Sequence, residues 1–218
     1  MRIVVTAGPT REPIDPVRFV SNRSSGKMGY AIAEAARDAG HKVTLISGPA
    51  MIAPPDNIDV VPIVTSDELY NAVHDYVRDC DVLVMCAAVS DYKPLHVAPR
   101  KMEKHQGEFA LQLTPTRDIL ASLPVENRSY FVVGFAAQTH DLEANALRKL
   151  REKNCDMIVA NDVSGSDVGM ESDDNAVTIF FRDGERETIS RARKSTIART
   201  LMKIIARFHQ NSLTKNFE

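Results

Sequence analysis

Apolar runs at 2–6, 42–47, 81–86, 131–135 and 156–160 alternate with helix-period patterns at 27–39, 66–78, 117–122 and 140–153. Strands alternating with helices predict a parallel sheet with crossover connections. Ile3-Val4-Val5, Val82-Leu83-Val84-Met85 and Phe131-Val132-Val133 carry no polar alternation, which marks central strands covered on both faces. The pattern over 27–39 is Ala-rich and stops at Gly40, a residue suited to a left-handed helix end. Beyond residue 161 the pattern changes to a Gly/Ser/Asp-rich loop (162–174), a strand (175–181), the turn Asp183-Gly184, a second strand (186–189) and a helix (191–208). Asp-Gly between two strand-like runs predicts a hairpin, added antiparallel to one sheet edge. Residues 211–218 have no periodicity and are expected to fray. The expected fold is therefore a Rossmann-like, doubly wound α/β domain over 1–210, its mostly parallel sheet extended by an antiparallel C-terminal hairpin.

Composition narrows the partners. A chain of 218 residues with 44% hydrophobic content can bury a large core, and 27 basic against 29 acidic residues leave a net charge of −2. Nothing global recruits nucleic acid or an anionic membrane. Met1-Arg2-Ile3-Val4-Val5 is too short for a signal peptide, and no run approaches the roughly 20 apolar residues of a membrane span, so a cytoplasmic location is expected. Cys80, Cys86 and Cys155 are unclustered and lie in or beside apolar runs, as reduced core thiols do. For Cys86 a nucleophilic role competes with packing, and no histidine adjoins it in sequence.

The segment from Val5 to Gly29 carries the most chemistry. A strand enters a polar loop, rich in proline from Pro9 to Pro16, before Ser24-Ser25-Gly26 opens the helix. A plain dinucleotide turn is much shorter, so room for a second substrate beside a nucleotide is implied. Lys27 after Gly26 suggests a phosphate loop, but Ser21 and Met28 stand where that motif needs Gly and Ser/Thr. A nicotinamide cofactor needs an acid at the end of the second strand, where the chain has Ser47-Gly48-Pro49, and no tyrosine has a lysine four residues on. Ser24, Ser25 and Gly26 can offer N–H groups, hydroxyls and a positive helix end to an anion, with charge from Arg18, Arg23 and Lys27; an ordinary capped helix start is the competing reading. Asn22 carries a neutral amide able to hold a reacting carbonyl without attacking it.

Two further clusters follow. Cys86-Ala87-Ala88-Val89-Ser90-Asp91 ends the third strand, where ligands bind in open α/β sheets, and Asp91 suits a ribose hydroxyl or magnesium as well as an ordinary turn. Pro99 to Gly107 is polar and lysine-bearing, either a solvated face or a lid over a triphosphate. Lys149 and Lys153 share one helical face.

Taken together, Gly8-Pro9-Thr10-Arg11-Glu12-Pro13-Ile14-Asp15-Pro16-Val17-Arg18, Ser21-Asn22-Arg23-Ser24-Ser25-Gly26-Lys27-Met28-Gly29, Ala87-Ala88-Val89-Ser90-Asp91-Tyr92, Val133-Gly134-Phe135-Ala136-Ala137-Gln138-Thr139 and Ala160-Asn161-Asp162-Val163-Ser164 resemble, in order, the phosphopantothenoylcysteine synthetase family. These are bacterial CTP-dependent ligases of coenzyme A synthesis, and the resemblance spans about residues 1–208. It implies that the carboxylate of 4'-phosphopantothenate is joined to CMP with loss of pyrophosphate, and that the amine of L-cysteine then displaces CMP. By resemblance, Asn22 handles the acyl-cytidylate, while Arg18, Ser24, Ser25, Gly26 and Lys27 hold the pantothenate end. CTP contacts fall on Met85, Cys86, Ala87, Asp91, Lys101, Arg117, Asp118, Ile119, Leu120, Phe135, Lys149 and Lys153, with Lys101 catalytic and magnesium as the metal. Arg117 and Glu103 depart from the family pattern around the lid. A homodimer with the 175–189 hairpin near the interface is implied, as is a free-standing ligase or one cut from a fusion with a decarboxylase, a further candidate partner. A short-chain-type NAD(P)-dependent reductase and a non-catalytic nucleotide-binding module are the rival readings.

Overall fold

The structure, a computed structural model, describes residues 1–104, 106–126, 128–138, 141–162 and 172–215. Six strands form the parallel body: β1 (Arg2–Ala7), β4 (Lys42–Ser47), β5 (Asp59–Pro62), β6 (Val82–Met85), β9 (Phe131–Gln138) and β10 (Met157–Asp162). Antiparallel β11 (Asp174–Phe181) and β12 (Arg186–Arg193) complete an eight-stranded sheet of order β12-β11-β10-β9-β6-β1-β4-β5. The parallel sheet and its antiparallel extension agree with the sequence expectation.

Alternating residues of the central strands feed two cores. Ile3 and Val5 join Val82, Val84 and Val133 beneath α1 (Lys27–Asp38) and α4 (Lys194–Lys215). Val4, Leu83 and Val132 face the opposite layer with α2 (Ser66–Tyr76) and α3 (Leu142–Glu152). This double burial explains the absence of polar positions in these strands. Helix α2 starts at a capping box: Thr65 Oγ1 accepts the Glu68 N–H at 3.2 Å, and the Glu68 carboxylate accepts the Thr65 N–H at 3.2 Å.

The structure corrects several boundaries. The helix expected at 117–122 is a set of turns: Asp118 Oδ1 accepts the Ala121 N–H at 3.0 Å, and Ser122 N–H is shared between the carbonyls of Asp118 and Ile119. Pro124 cannot continue a helix, and its ring disfavours helical backbone at Leu123, so the single turn is not extended. Strand β12 runs to Arg193, which delays α4 to Lys194, and α4 continues to Lys215, past the point where periodicity fades. The expected loop at 162–174 falls largely on 163–171, outside the described residues. Two short ribbons were not anticipated: β2 (Arg11–Pro13) with β3 (Phe19–Ser21), and β7 (Tyr92–Pro94) with β8 (Leu113–Pro115). Edge strand β5 was also missed because only Val60 and Val61 stand between polar or proline neighbours.

Gly29 sets the distance between α1 and β1. A Cβ there would lie 2.5 Å from Ala7 Cβ and 3.0 Å from the Thr6 carbonyl oxygen, so the helix would have to lift from the strand. Gly29→Ala is expected to destabilise the fold by about 1–3 kcal/mol despite its better helix propensity. Urea unfolding checks this, and an unchanged midpoint would contradict the packing.

Candidate functional site

Strand order places the site. From β1 the chain builds outward through β4 and β5, then returns to the other side of β1 as β6, so the connections diverge between β1 and β6. A crevice opens beyond the carboxyl ends of strands at such a point. Here it is a cleft of about 480 Å3, with Asn22, Ser24 and Gly26 to Gly29 on one wall and Met85 to Val89 and Asp91 on another.

The two walls are sewn together. Buried Thr6 Oγ1 accepts the N–H groups of Cys86 and Ala87, each at 3.1 Å. Beyond the strand ends, Ala88 N–H donates to Gly8 O at 2.9 Å and Thr10 N–H to Ala88 O at 3.1 Å. Buried Thr10 Oγ1 accepts the Ser90 N–H at 3.0 Å, and Asn22 Nδ2 donates to Val89 O at 2.9 Å. Asn22 thus bridges both walls, with a second amide hydrogen and an oxygen for further contacts.

Gly26 enters α1 at φ 79°, a left-handed conformation that glycine adopts without strain. The N-cap residue, Gly26, has no side chain to cap this helix start, and Gly26 to Gly29 line the cleft. Three cations on the walls, Lys27, Lys153 and Arg117, are held by acids. Lys27 Nζ lies 2.6 Å from Asp173, and Lys153 pairs with Asp118. Arg117 grips Asp67 Oδ1 through Nε and Nη2 at 3.1 and 3.0 Å and lies 3.8 Å over the Tyr70 ring. Lys93 shares Asp67, and that bond, with Arg117 beside it, holds the Asp67 carboxyl below its usual range. Burial pushes the Lys149 ammonium down, opposed by Asp91. These pairs keep the cations oriented, and an incoming polyanion can exchange for the carboxylates.

Of the residues singled out in the sequence, Asn22, Ser24, Gly26, Lys27, Met85, Cys86, Ala87, Asp91, Arg117, Asp118, Ile119, Leu120, Phe135, Lys149 and Lys153 share this cleft. Ser25, Arg18 and Lys101 are not among its lining residues. Arg18 and Lys101 are exposed, and Arg18, at the tip of the β2–β3 hairpin, donates from Nη2 to the O of Met102, the residue after Lys101, at 3.0 Å. Thr139, Val163 and Ser164 of the quoted motifs lie outside the described residues. Sequence reasoning gave no role to Asn161, Asn175 and Lys194, which are buried and line the same cleft. Asn161 stood within a quoted motif; Lys194, whose ammonium burial and nearby Lys27 push down, had no signal beyond being an ordinary helix-start lysine.

Residues 1–208 match the family described as the DNA/pantothenate metabolism flavoprotein C-terminal domain. The chain belongs to this family. It is 46% identical over 188 residues to the coenzyme A biosynthesis bifunctional protein CoaBC of Vibrio vulnificus (strain CMCP6), covering 84% of this chain and 47% of that protein. The crystal structure of the C-terminal domain of a coenzyme A biosynthesis bifunctional protein CoaBC superposes with a TM-score of 0.82 at 40% identity over 96% of each chain. A mutant of Cab2 in complex with phosphopantothenate-cysteine has the same fold, with a TM-score of 0.79 at 15% identity over 100% of this chain and 89% of that one. The chain spans about half the length of the curated relatives it matches. The family resemblance read from the motifs therefore holds. No helix among the described residues is long and apolar enough to cross a membrane.

The three cysteines are free thiols. Cys86 lines the cleft, but burial pushes its thiol up to about 12, against the pull of Lys194. A thiol so raised is a poor nucleophile, because the thiolate is the reactive species. At pH 8, Cys86 is expected to react with iodoacetamide on the order of 10²–10³ more slowly than a free cysteine. Peptide mass mapping of the native protein measures this, and a rate near that of the free thiol would restore a nucleophilic role.

Proposed function

We propose that this domain is a phosphopantothenate–cysteine ligase that forms its amide through an acyl-cytidylate. The observation that carries the reading is the juxtaposition of Asn22, the Gly26-led start of α1 and the Met85–Ala87 strand end around one cationic cleft. Family membership supports the pathway, and the phosphopantothenate-cysteine bound to the Cab2 mutant supports the product class.

A carboxylate resists attack by an amine because its charge repels nucleophiles and its oxide is a poor leaving group. In the first step a carboxylate oxygen of 4'-phosphopantothenate attacks the α-phosphorus of CTP, and pyrophosphate departs. The cysteine amine then adds to the acyl carbon; it loses a proton as CMP leaves, and the amide is formed. Lys27, Lys149 and Lys153 offset phosphate charge, while Asn22 hydrogen-bonds the acyl group without competing as a nucleophile. Met85 to Ala87 offer backbone groups to the cytosine, with Phe135 and Leu120 beside them, while Arg18 acts from the hairpin tip and Lys101 from the loop that Met102 fastens to it.

Among the described residues no group of three His, Cys, Asp or Glu gathers, so no dedicated metal cage is built. Asp91, an exposed carboxylate on the cleft wall, suits a magnesium ion carried mainly by phosphate oxygens. Asp91 would hold that ion, which would neutralise charge on the departing pyrophosphate. A cytoplasmic homodimer, working with a phosphopantothenoylcysteine decarboxylase, completes the reading.

Pyrophosphate is expected only when CTP, magnesium and phosphopantothenate are all present, and CMP release should then require cysteine. Parallel assays with ATP and UTP test base choice. CTP binding with no turnover would favour a binding module, and preferential binding of NADPH a reductase. Asn22→Asp should accumulate acyl-cytidylate, whereas turnover like that of the unsubstituted protein would remove Asn22 from the second step. Lys101→Ala should cost on the order of 10²-fold in rate, as loss of one electrostatic donor typically does.

A further inference from the structure

The carboxylate of Asp15 sits at the tip of the β2–β3 hairpin, outside the cleft, and its side chain is fully buried. A buried carboxylate is costly unless its oxygens are satisfied. Asp15 Oδ1 accepts the N–H groups of Val17 and Arg18 at 2.8 and 2.9 Å, which closes the turn on itself. Asp15 Oδ2 accepts Arg18 Nε at 3.0 Å, Arg18 Nη2, and the Met102 N–H at 3.1 Å.

Local turn closure would need only the first two bonds. Of the others, the bond from the Met102 N–H reaches across 87 residues of sequence to the lysine loop. Arg18 Nη2 returns a bond to Met102 O at 3.0 Å, so both backbone polar groups of Met102 are fastened to the Asp15–Arg18 pair. Ala98 N–H also donates to Ile14 O at 2.9 Å. Lys101 adjoins Met102, and its own backbone path is therefore set between two anchored residues. The hairpin is itself rooted at the cleft: Thr10 and Ser21, at its two ends, are joined by Ser21 Oγ to Thr10 O at 2.7 Å, and Asn22 follows immediately.

We propose that Asp15 is a positioning residue for Lys101: through Arg18 and Met102 it fastens the lysine loop to the hairpin based at Asn22, and Lys101 serves the reaction only while this clamp is intact. The kinetic part rests on the ligase reading above. The mechanical part does not.

The test pairs a double-mutant cycle with proteolysis. Asp15→Asn keeps the shape but replaces one accepting oxygen by an NH2 donor and removes the charge that Arg18 faces. It is expected to lower kcat for pyrophosphate release about tenfold or more with little change in the KM for CTP. In a Lys101→Ala background the same substitution should cost less than about threefold, because the group it positions is already gone. Trypsin should cut Asp15→Asn faster after Arg100, Lys101 or Lys104, with the remaining peptide map unchanged. Should Asp15→Asn fail to fold, Arg18→Gln, which removes the guanidinium that holds Met102 O and leaves Asp15 in place, is expected to show the same faster cleavage of the loop. Additive losses in the double variant, or unaltered cleavage of the loop, would overturn the proposal. An absence of pyrophosphate release from the unsubstituted protein would instead sink the ligase reading, with the proteolysis still deciding whether Asp15 holds the loop.

Discussion

Everything at the site depends on the seam that continues the β1–β6 pairing beyond the ends of the strands. In an open parallel sheet the loops leaving two adjacent strands normally part, and their N–H and C=O groups turn to solvent. Here Thr6 gives its hydroxyl oxygen to two successive N–H groups, and Gly8, Thr10, Ala88 and Ser90 carry the ladder onward. Thr6 and Thr10 are fully buried, so these bonds form away from competing water and hold both walls of the cleft to one geometry. Asn22 docks onto the far end of that seam through Val89.

Upon this scaffold the charged groups are arranged as exchangeable pairs. Asp173 is drawn below its usual range by Lys27, Asp67 by Lys93 and Arg117, and Asp15 by Arg18. Each folded-state value is depressed, so the stabilisation these carboxylates give is fully present above the ordinary Asp value near 3.9 and disappears as pH falls through the lowered values. At neutral pH the pairs are intact. Those on the cleft wall are partly exposed, which makes their net contribution to stability small and their replacement by phosphate oxygens cheap. The Asp15 pair differs because its carboxylate is enclosed and linked to backbone groups from a distant loop.

The sequence foretold most where burial dictates composition. Val82 to Met85 and Phe131 to Val133 are covered on both faces, and such strands leave a continuous apolar run. The C-terminal hairpin was legible from Asp183-Gly184 between two strand-like runs. The ribbons β2–β3 and β7–β8 left no such mark, since strands of three residues away from the core are specified by partners rather than by periodicity. Ile119 and, just past the 117–122 segment, Leu123 have helical spacing, yet Pro124 and the Asp118 turn decide the backbone. The motifs contain most of the residues that line the cleft, but neither spacing nor charge reveals that Asp15 binds Arg18 and Met102 together at the hairpin tip.

The central claim is that the crevice between the β1 and β6 loops is where the nucleotide and the acid meet. A crystal structure with CTP, magnesium and phosphopantothenate tests it most directly. The account predicts CTP against Met85 to Ala87, its phosphates toward the Asp91 side, and the acid's carboxylate beside Asn22. Nucleotide bound elsewhere on the surface, with this crevice empty, would contradict it.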